Sequence, residues 1–126
     1  MTPSTTTALD VSLAYFRSWT GGDFDAALAF IAPDIVCHTP SGVLTGAEAF
    51  AGFMGPFAGM LTSADLLAAY GDDRTTMIMY DTVTPAVAAA PGAELHTVAD
   101  ERITEIKIIF DRLPFAKARA SVTSAD

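Results

Sequence analysis

The chain contains only one cysteine, Cys37, and two histidines among its 126 residues. One thiol cannot form a disulfide within the chain, and it cannot build a zinc site from several cysteines. The two histidines add at most two ligands. We therefore expect no metal site, and a lone thiol suits a cytoplasmic protein.

Basic residues are also scarce: 7 lysines and arginines stand against 15 aspartates and glutamates, which gives a net charge of −8. A chain this acidic repels the phosphates of nucleic acids and the headgroups of anionic lipids. We expect neither nucleic acid nor a membrane as a partner.

Long apolar runs and diagnostic motifs are missing too. The longest uncharged stretch, residues 49–64, is broken by glycines and a proline, and it is shorter than the roughly 20 apolar residues of a membrane span. The N-terminus lacks the basic and apolar parts of a secretory signal, which favours a cytoplasmic location. There is no Gly-rich phosphate loop, HExxH or GxSxG, so we expect no cofactor.

The composition that remains is that of one folded domain over residues 1–126. Hydrophobic residues make up 51% of the chain, which excludes a disordered body, and the length fits a single domain. The polar segment 1–7 and the unpatterned segment 116–126 are expected to be loose termini.

The first half of the chain has helical periodicity. Leu9, Leu13 and Phe16 recur at the i, i+4, i+7 spacing of one helix face, which predicts a helix over residues 8–20. The Gly21-Gly22 pair that follows should end this helix, because glycine is a poor helix former and a common residue at helix ends.

Two further helices are predicted from their boundary residues. Asp23 can cap a helix over residues 24–32, because its carboxylate can accept hydrogen bonds from the unpaired N–H groups of the first turn. Thr45 and Glu48 have the spacing of a capping box for a helix over residues 46–61, which Pro56 should kink or split.

The second half of the chain has the alternation of strands. A short strand at residues 35–39 precedes the third helix, and a meander follows it, with a loop at 85–92. The meander strands are predicted to form an antiparallel sheet from residues 64–70, 75–84, 93–99 and 103–111. Helices followed by strands predict an α+β domain, in which the helices cover the apolar face of the sheet.

Several segments of this chain resemble SnoaL-like, NTF2-like domains. WTGGDFDAAL at residues 19–28, IAPDIV at 31–36, HTPSG at 38–42 and RITEIKIIFD at 102–111 are similar to the opening and closing segments of that fold, over about residues 8–112. The resemblance implies a cone, with a curved, mainly antiparallel sheet wrapped round three N-terminal helices. It also implies an apolar pocket and a dimer formed through the open face of the sheet.

The superfamily includes polyketide cyclases, ketosteroid isomerases, limonene epoxide hydrolases, dehydratases and non-catalytic modules, so shared fold alone does not assign chemistry. Tyr15 corresponds to the tyrosine with which ketosteroid isomerases stabilise an enolate, but Thr39 stands in place of their general base. Asp81 matches one carboxylate of the epoxide hydrolases, but Ile108 replaces the other. Both activities therefore lack a required group.

Asp81, Glu94 and His96 are the candidate functional residues on strands, because each is expected on an apolar sheet face. A charge there costs several kcal/mol unless it is paired. If the 85–92 loop is centred near Ala88-Ala89, Asp81 lies opposite His96 and the two can form an acid–base pair. A two-residue shift would pair Asp81 with Glu94 instead. A plain structural ion pair is the alternative to catalysis.

The remaining predictions concern the pocket and the opposite face. Asp81 and His96 would be catalytic, with Tyr15 as a hydrogen-bond donor, although core packing also explains Tyr15. Met77, Met79 and Asp81 are assigned to the inner face, and Ile78, Tyr80 and Ile109 to an outer, dimer-forming face. The expected substrate-binding residues are Trp19, Phe50, Phe53, Phe57, Met77, Met79, Glu94, Ile106, Ile108 and Phe110.

Two classes of function fit these residues. The first is an enzyme that catalyses cofactor-independent proton transfer, as in cyclisation, isomerisation or dehydration, on a hydrophobic substrate that bears a carbonyl group. The second is a non-catalytic module that binds a hydrophobic small molecule or forms a dimer. Cys37 is interpreted as a small buried hydrophobe, and His38 as a surface or turn residue.

Overall fold

The computed structural model describes residues 7–124, with side chains described as far as residue 118. Predictions for residues 1–6 and 125–126 lie outside this range. The described chain forms, in order, α1 (Ala8–Thr20), α2 (Phe24–Leu28), β1 (Ile31–Thr39), β2 (Gly42–Thr45), α3 (Ala47–Met60), β3 (Ser63–Gly71), β4 (Thr75–Val83), β5 (Ala90–Ala99), β6 (Arg102–Phe110) and α4 (Leu113–Ser124).

The strands form one curved sheet in the order β2-β1-β6-β5-β4-β3. Neighbouring strands are antiparallel, except that β1 runs parallel to β6. The predicted α+β class and the antiparallel pairing of the last strands are confirmed. Because β1 returns beside the C-terminal strand, the two halves of the chain share one sheet.

α1 begins and ends at residues with clear local roles. Thr7 and Asp10 form a capping box, in which each side chain accepts a hydrogen bond from the other residue's backbone N–H. The Gly21 N–H donates to the Arg17 carbonyl at the other end. Thr7 was expected in a loose terminus, and instead it stabilises the first turn.

α2 is capped by Asp23 as predicted, through a hydrogen bond from the Ala26 N–H. However, the prediction of a helix over 24–32 was wrong beyond Leu28. The chain turns into β1 at Ile31 because the Phe30 carbonyl accepts a hydrogen bond from the Ile103 N–H of β6. Pro33 lies where the β1–β6 register shifts, so its missing N–H disrupts no regular ladder.

The predicted capping box of α3 was also wrong. Thr45 is the last residue of β2, and Gly46 occupies the N-cap with φ of 95° and no side-chain hydrogen bond. Glycine suits this left-handed conformation because it has no Cβ. Pro56 does not split the helix, which runs unbroken through it to Met60.

The C-terminal segment also differs from the prediction. Residues 116–126 were expected to be loose, but α4 covers Leu113–Ser124. Phe115 at its start packs against Phe110 and Phe57, with ring centroids 5.7 and 6.1 Å away. These contacts anchor the helix beside the end of β6.

The core lies between the helices and the inner face of the sheet, and Tyr15, Trp19, Ile35 and Ile103 are completely buried there. Across the described residues, no helix is both long and apolar enough to cross a membrane.

Candidate functional site

A chain of four hydrogen-bonded side chains crosses the buried face of the sheet. The Tyr80 hydroxyl donates to Glu94 Oε2 over 2.5 Å, and His96 Nε2 donates to Glu94 Oε1 over 2.8 Å. His96 Nδ1 lies 2.7 Å from the Ser12 hydroxyl. All four residues are at most 3% exposed. Both carboxylate oxygens and both ring nitrogens therefore have partners, as burial of such groups requires.

Strand and helix geometry explain why these residues meet. Glu94 and His96 are two residues apart on β5, so their side chains point to the same face. Tyr80 comes from β4, where Ile78 is the direct partner of Glu94, and it is therefore a diagonal neighbour of Glu94. Ser12 belongs to the buried face of α1.

The pKa values around Glu94 follow from burial and from its carboxylate. Burial raises the pKa of Tyr80 well above its usual value, and the charge and hydrogen bond of Glu94 raise it further. The same causes, burial first and then Glu94, raise the pKa of Tyr15 and bring that of Cys37 to about 12. All three groups are therefore neutral at physiological pH.

Three buried polar atoms near the hydrogen-bonded side chains have no hydrogen-bond partner among the described residues. They are the Tyr15 hydroxyl, Trp19 Nε1 and Thr76 Oγ1. The Tyr15 ring meets the His96 ring edge-on, with centroids 5.5 Å apart. Tyr15 thus holds the imidazole in place by packing rather than by hydrogen bonding.

A cavity of about 290 Å³ adjoins the Tyr80 end of the hydrogen-bonded chain of side chains. Its lining is mainly apolar and rich in phenylalanine, with a few polar side chains. The lining residues are Ser41, Phe53, Met54, Pro56, Phe57, Met60, Tyr80, Thr82, Ala90, Pro91, Gly92, Ile108, Phe110, Arg112 and Phe115. Within the hydrogen-bonded chain, Tyr80 is the member that reaches this lining.

Gly92 makes room for Tyr80 at the cavity wall. A Cβ on Gly92 would lie 2.9 Å from a Tyr80 ring carbon and 3.1 Å from the hydroxyl oxygen. Because Gly92 also lines the cavity, the hydroxyl end of Tyr80 lies next to the cavity wall.

The predicted pairing of Asp81 with His96 was wrong. Asp81 lies opposite Pro91, and His96 lies opposite Thr76. The loop is shorter than expected because β5 already begins at Ala90. The observed pairing of β4 with β5 is therefore shifted from the predicted pairing by an odd number of residues. Asp81 therefore points to the exposed face, while His96 points inward.

The prediction also interchanged the inner and outer faces of β4. Met77 and Met79 are 57% and 47% exposed, whereas Ile78 and Tyr80 are buried. Both faces of this strand carry large apolar side chains, so alternation alone did not fix which face is inner. Ile109 is exposed, as assigned.

The other predicted pocket residues fall into two groups. Phe53, Phe57, Ile108 and Phe110 line the cavity. Tyr15, Trp19, Phe50, Glu94 and Ile106 are buried outside its lining. Tyr15 therefore does not contribute to the described lining of this cavity.

Sequence reasoning missed Tyr80 and Ser12. A signal for Ser12 exists, because it is a polar residue on the helix face that also carries Tyr15 and Trp19. Cys37 is fully buried, and His38 is solvent-exposed, with its Nε2 atom 3.1 Å from Glu105 Oε2. In the part of the chain that the structure describes, no three His, Cys, Asp or Glu side chains are grouped to hold a metal ion.

Comparisons with known proteins agree with this architecture. The model of the SnoaL-like domain family matches residues 13–106, and comparison with curated protein sequences finds no significant match. A crystal structure of a protein from Kribbella flavida is 50% identical, with a TM-score of 0.91. That match covers 97% of this chain and 100% of the other.

More distant structures share the fold. A putative polyketide cyclase from Sinorhizobium meliloti is 20% identical with a TM-score of 0.69, over 79% of this chain and 94% of its own. A putative ketosteroid isomerase from Kribbella flavida is 14% identical with a TM-score of 0.71, over 80% and 75%. The family match covers most of the chain and includes Tyr80, Glu94 and His96, and the chain belongs to the SnoaL-like domain family.

Proposed function

We propose that this protein is an enzyme that catalyses cofactor-independent proton transfer on a hydrophobic substrate that bears a carbonyl group. One observation carries the proposal: the hydrogen-bonded chain Tyr80–Glu94–His96 connects a buried acid–base pair to the wall of an apolar cavity. A carboxylate and an imidazole are the groups most used for proton transfer.

Tyr80 would be the group that contacts the substrate. Because the pKa of Tyr80 is raised well above its usual value, its phenolate is not populated near neutral pH. The hydroxyl oxygen would therefore take a proton from the substrate as its own proton passes to Glu94. The new hydroxyl proton can exchange with water in the cavity before Tyr80 returns a proton to the substrate and regains one from Glu94, and this exchange lets solvent deuterium enter the substrate. His96 stabilises the charge of Glu94, and Ser12 fixes the orientation of the imidazole.

The experiment measures exchange of carbon-bound protons, which does not require knowledge of the natural substrate. 2-Tetralone, an aromatic ketone with acidic α-protons, is incubated with the protein in D₂O, and deuterium incorporation is followed by NMR. We expect exchange above the buffer rate with wild type, and exchange at the buffer rate with Tyr80→Phe and Glu94→Gln.

Tyr70→Phe is the matched control, because Tyr70 is 76% exposed on β3 and its hydroxyl lies outside the buried chain. It should exchange like wild type. Unchanged exchange in a folded Tyr80→Phe variant would refute the relay.

A non-catalytic binding module is the second candidate, and burial favours it. Glu94 and His96 are 1% and 0% exposed, and their hydrogen-bonding atoms are satisfied within the protein. If wild type binds 2-tetralone without accelerating exchange, this second function is supported.

We also propose that two copies pair through the exposed side of the sheet. The large apolar residues of the outer face are Tyr70, Met77, Met79, Leu95 and Ile109, each at least 41% exposed. Tyr70, Met77 and Leu95 are successive cross-strand partners, so they form a contiguous row. A continuous apolar surface of this kind favours burial against a partner.

A further inference from the structure

Arg112 is the one charged residue in the described lining of the cavity. It follows the end of β6, and it stands between Phe110 and Phe115, which also line the cavity. Among the described residues, the Arg112 side chain forms no salt bridge or hydrogen bond with a protein group. It therefore brings one unpaired positive charge to the described lining.

Four phenylalanine rings surround the cavity beside this cation. Phe110 lies 6.4 Å from Phe53 and 5.7 Å from Phe115, and Phe115 lies 6.1 Å from Phe57, measured between ring centroids. Rings at these distances and tilts favour contact with another planar ring. The walls therefore suit a flat aromatic body better than a flexible chain.

Tyr80 and Arg112, two of the polar residues in the lining, have different charges beside them. Tyr80 on β4 is backed by the carboxylate of Glu94, whereas Arg112 follows β6. β5 lies between β4 and β6, so their backbones are roughly 10 Å apart. An anionic group would be repelled at the Tyr80 end and attracted at the Arg112 end. Because the net charge of −8 repels anions from the protein as a whole, Arg112 is the group in the described lining that can attract one.

From these observations we infer that the cavity binds a planar aromatic acid whose carboxylate pairs with Arg112. The aromatic body lies among the phenylalanine rings, and the opposite end, with the reacting carbonyl, points to Tyr80. The inference rests on the proposed function in that the cavity is taken as the substrate site, and it adds the charge and orientation of the substrate.

The test compares 2-naphthoate with 2-naphthamide, which have nearly the same shape but differ in charge. Isothermal titration calorimetry measures the binding of each to wild type, Arg112→Gln, Arg112→Lys and the control Arg102→Gln, whose arginine is exposed on β6 outside the lining. We expect Arg112→Gln to weaken naphthoate binding about three- to tenfold, as loss of a partly exposed charge-assisted contact does.

We expect three further results from the same titrations. Naphthamide should bind Arg112→Gln within twofold of wild type, Arg112→Lys should keep part of the preference for naphthoate, and Arg102→Gln should behave like wild type. Added NaCl should weaken naphthoate binding to wild type more than to Arg112→Gln.

Equal binding of the two ligands to wild type, or an equal effect of Arg112→Gln on both, would overturn the anion site and leave a cavity that binds neutral ligands. Failure of wild type to bind either ligand would also overturn it. The exchange of 2-tetralone, a neutral ketone, tests the proposed function separately, so the two failures are distinguishable.

Discussion

The orientation of the Tyr80 side chain is fixed by both packing and a hydrogen bond. Its ring packs against Phe16 and Trp19, with centroids 5.3 and 5.5 Å away, and its hydroxyl is bonded to Glu94. Packed rings lie on one side of the Tyr80 ring and Gly92 lies on the other. The phenol is thus held in one orientation at the cavity wall.

We therefore expect Gly92→Ala to destabilise the protein by about 1–3 kcal/mol, the usual cost of overpacking a filled core. The added Cβ would come within 2.9 Å of the Tyr80 ring, and displacement of the ring should also lower exchange of 2-tetralone. Gly52→Ala is the control, because a Cβ on Gly52 in α3 meets nothing within 4 Å. It should stabilise the helix by about 0.5–1 kcal/mol. Equal denaturation midpoints for the two variants would contradict this account.

Cys37 makes the free energy of unfolding depend on pH in the alkaline range. Its pKa rises from 9.0 to about 12 on folding, through burial and then the charge of Glu94. The unfolded state therefore loses this proton first, so the contribution to stability is complete below pH 9 and is lost between pH 9 and 12. The slope is at most about 1.4 kcal/mol per pH unit.

The measurement is the free energy of unfolding by urea at a series of pH values from 7 to about 10, for wild type and Cys37→Ala. Removal of the thiol shifts the whole curve down because it leaves a cavity. The informative quantity is the slope above pH 9, which should be shallower in Cys37→Ala. Parallel curves would show that the thiol does not carry this dependence. Tyr15 and Tyr80, whose pKa values are also raised, steepen both curves above pH 10.

At the scale of elements, periodicity predicted the existence of helices and strands better than their orientation. The alternation over residues 75–84 correctly indicated β4, because the residues there are β-formers. It did not fix the inner face, since Met77 and Met79 are as apolar as Ile78 and Tyr80. Register failed for a related reason: Pro91-Gly92 indicated a loop, although this pair belongs to β5. Its glycine is required by the contact with Tyr80, which no local pattern reveals.

The turn between β5 and β6 is the element with clear backbone strain. Asp100 and Glu101 have φ of 53° and 62°, so both occupy the left-handed region in a two-residue loop between the paired residues Ala99 and Arg102. Such a turn favours glycine at its second position.

Glu101→Gly should therefore raise the free energy of unfolding by about 1 kcal/mol, because it relieves the left-handed strain of a residue with a Cβ. Glu101→Gln is the control, since it removes the same charge but keeps the Cβ, and its stability should stay near that of wild type. The melting temperatures of both variants give the answer. An equal gain in the two would attribute the effect to charge instead of backbone conformation.

At the scale of the molecule, the α+β class and the helix-on-sheet arrangement could be predicted, because they follow from amphipathic segments that must cover one another. The site could be predicted only in part. Glu94 and His96 were recognised as ionisable residues on an apolar strand face, but their partners Tyr80 and Ser12 come from β4 and α1. Their meeting depends on strand register and helix packing, which distant contacts decide.

The outer face leads to a prediction about assembly. Ile78 and Tyr80 were expected there and are instead buried, but Met77, Met79 and Leu95 take their place. Light scattering at micromolar concentration should give twice the chain mass of 13.2 kDa, because a dimer removes this apolar surface from water. Met79→Lys should shift the mass toward that of one chain, since the interface would then bury an unpaired charge.

Val43→Lys is the matched control for this experiment. Val43 is 61% exposed, but it belongs to β2 at the edge of the sheet away from β3 and β4. The same gain of charge outside the outer face should leave the mass of the assembly unchanged. A wild-type mass of 13.2 kDa would refute the dimer, and a dimer that persists in Met79→Lys would place the interface on another surface. Because the cavity opens on the inner side of the sheet, a monomeric Met79→Lys that still exchanges 2-tetralone would show that assembly and chemistry use opposite faces of the same strand.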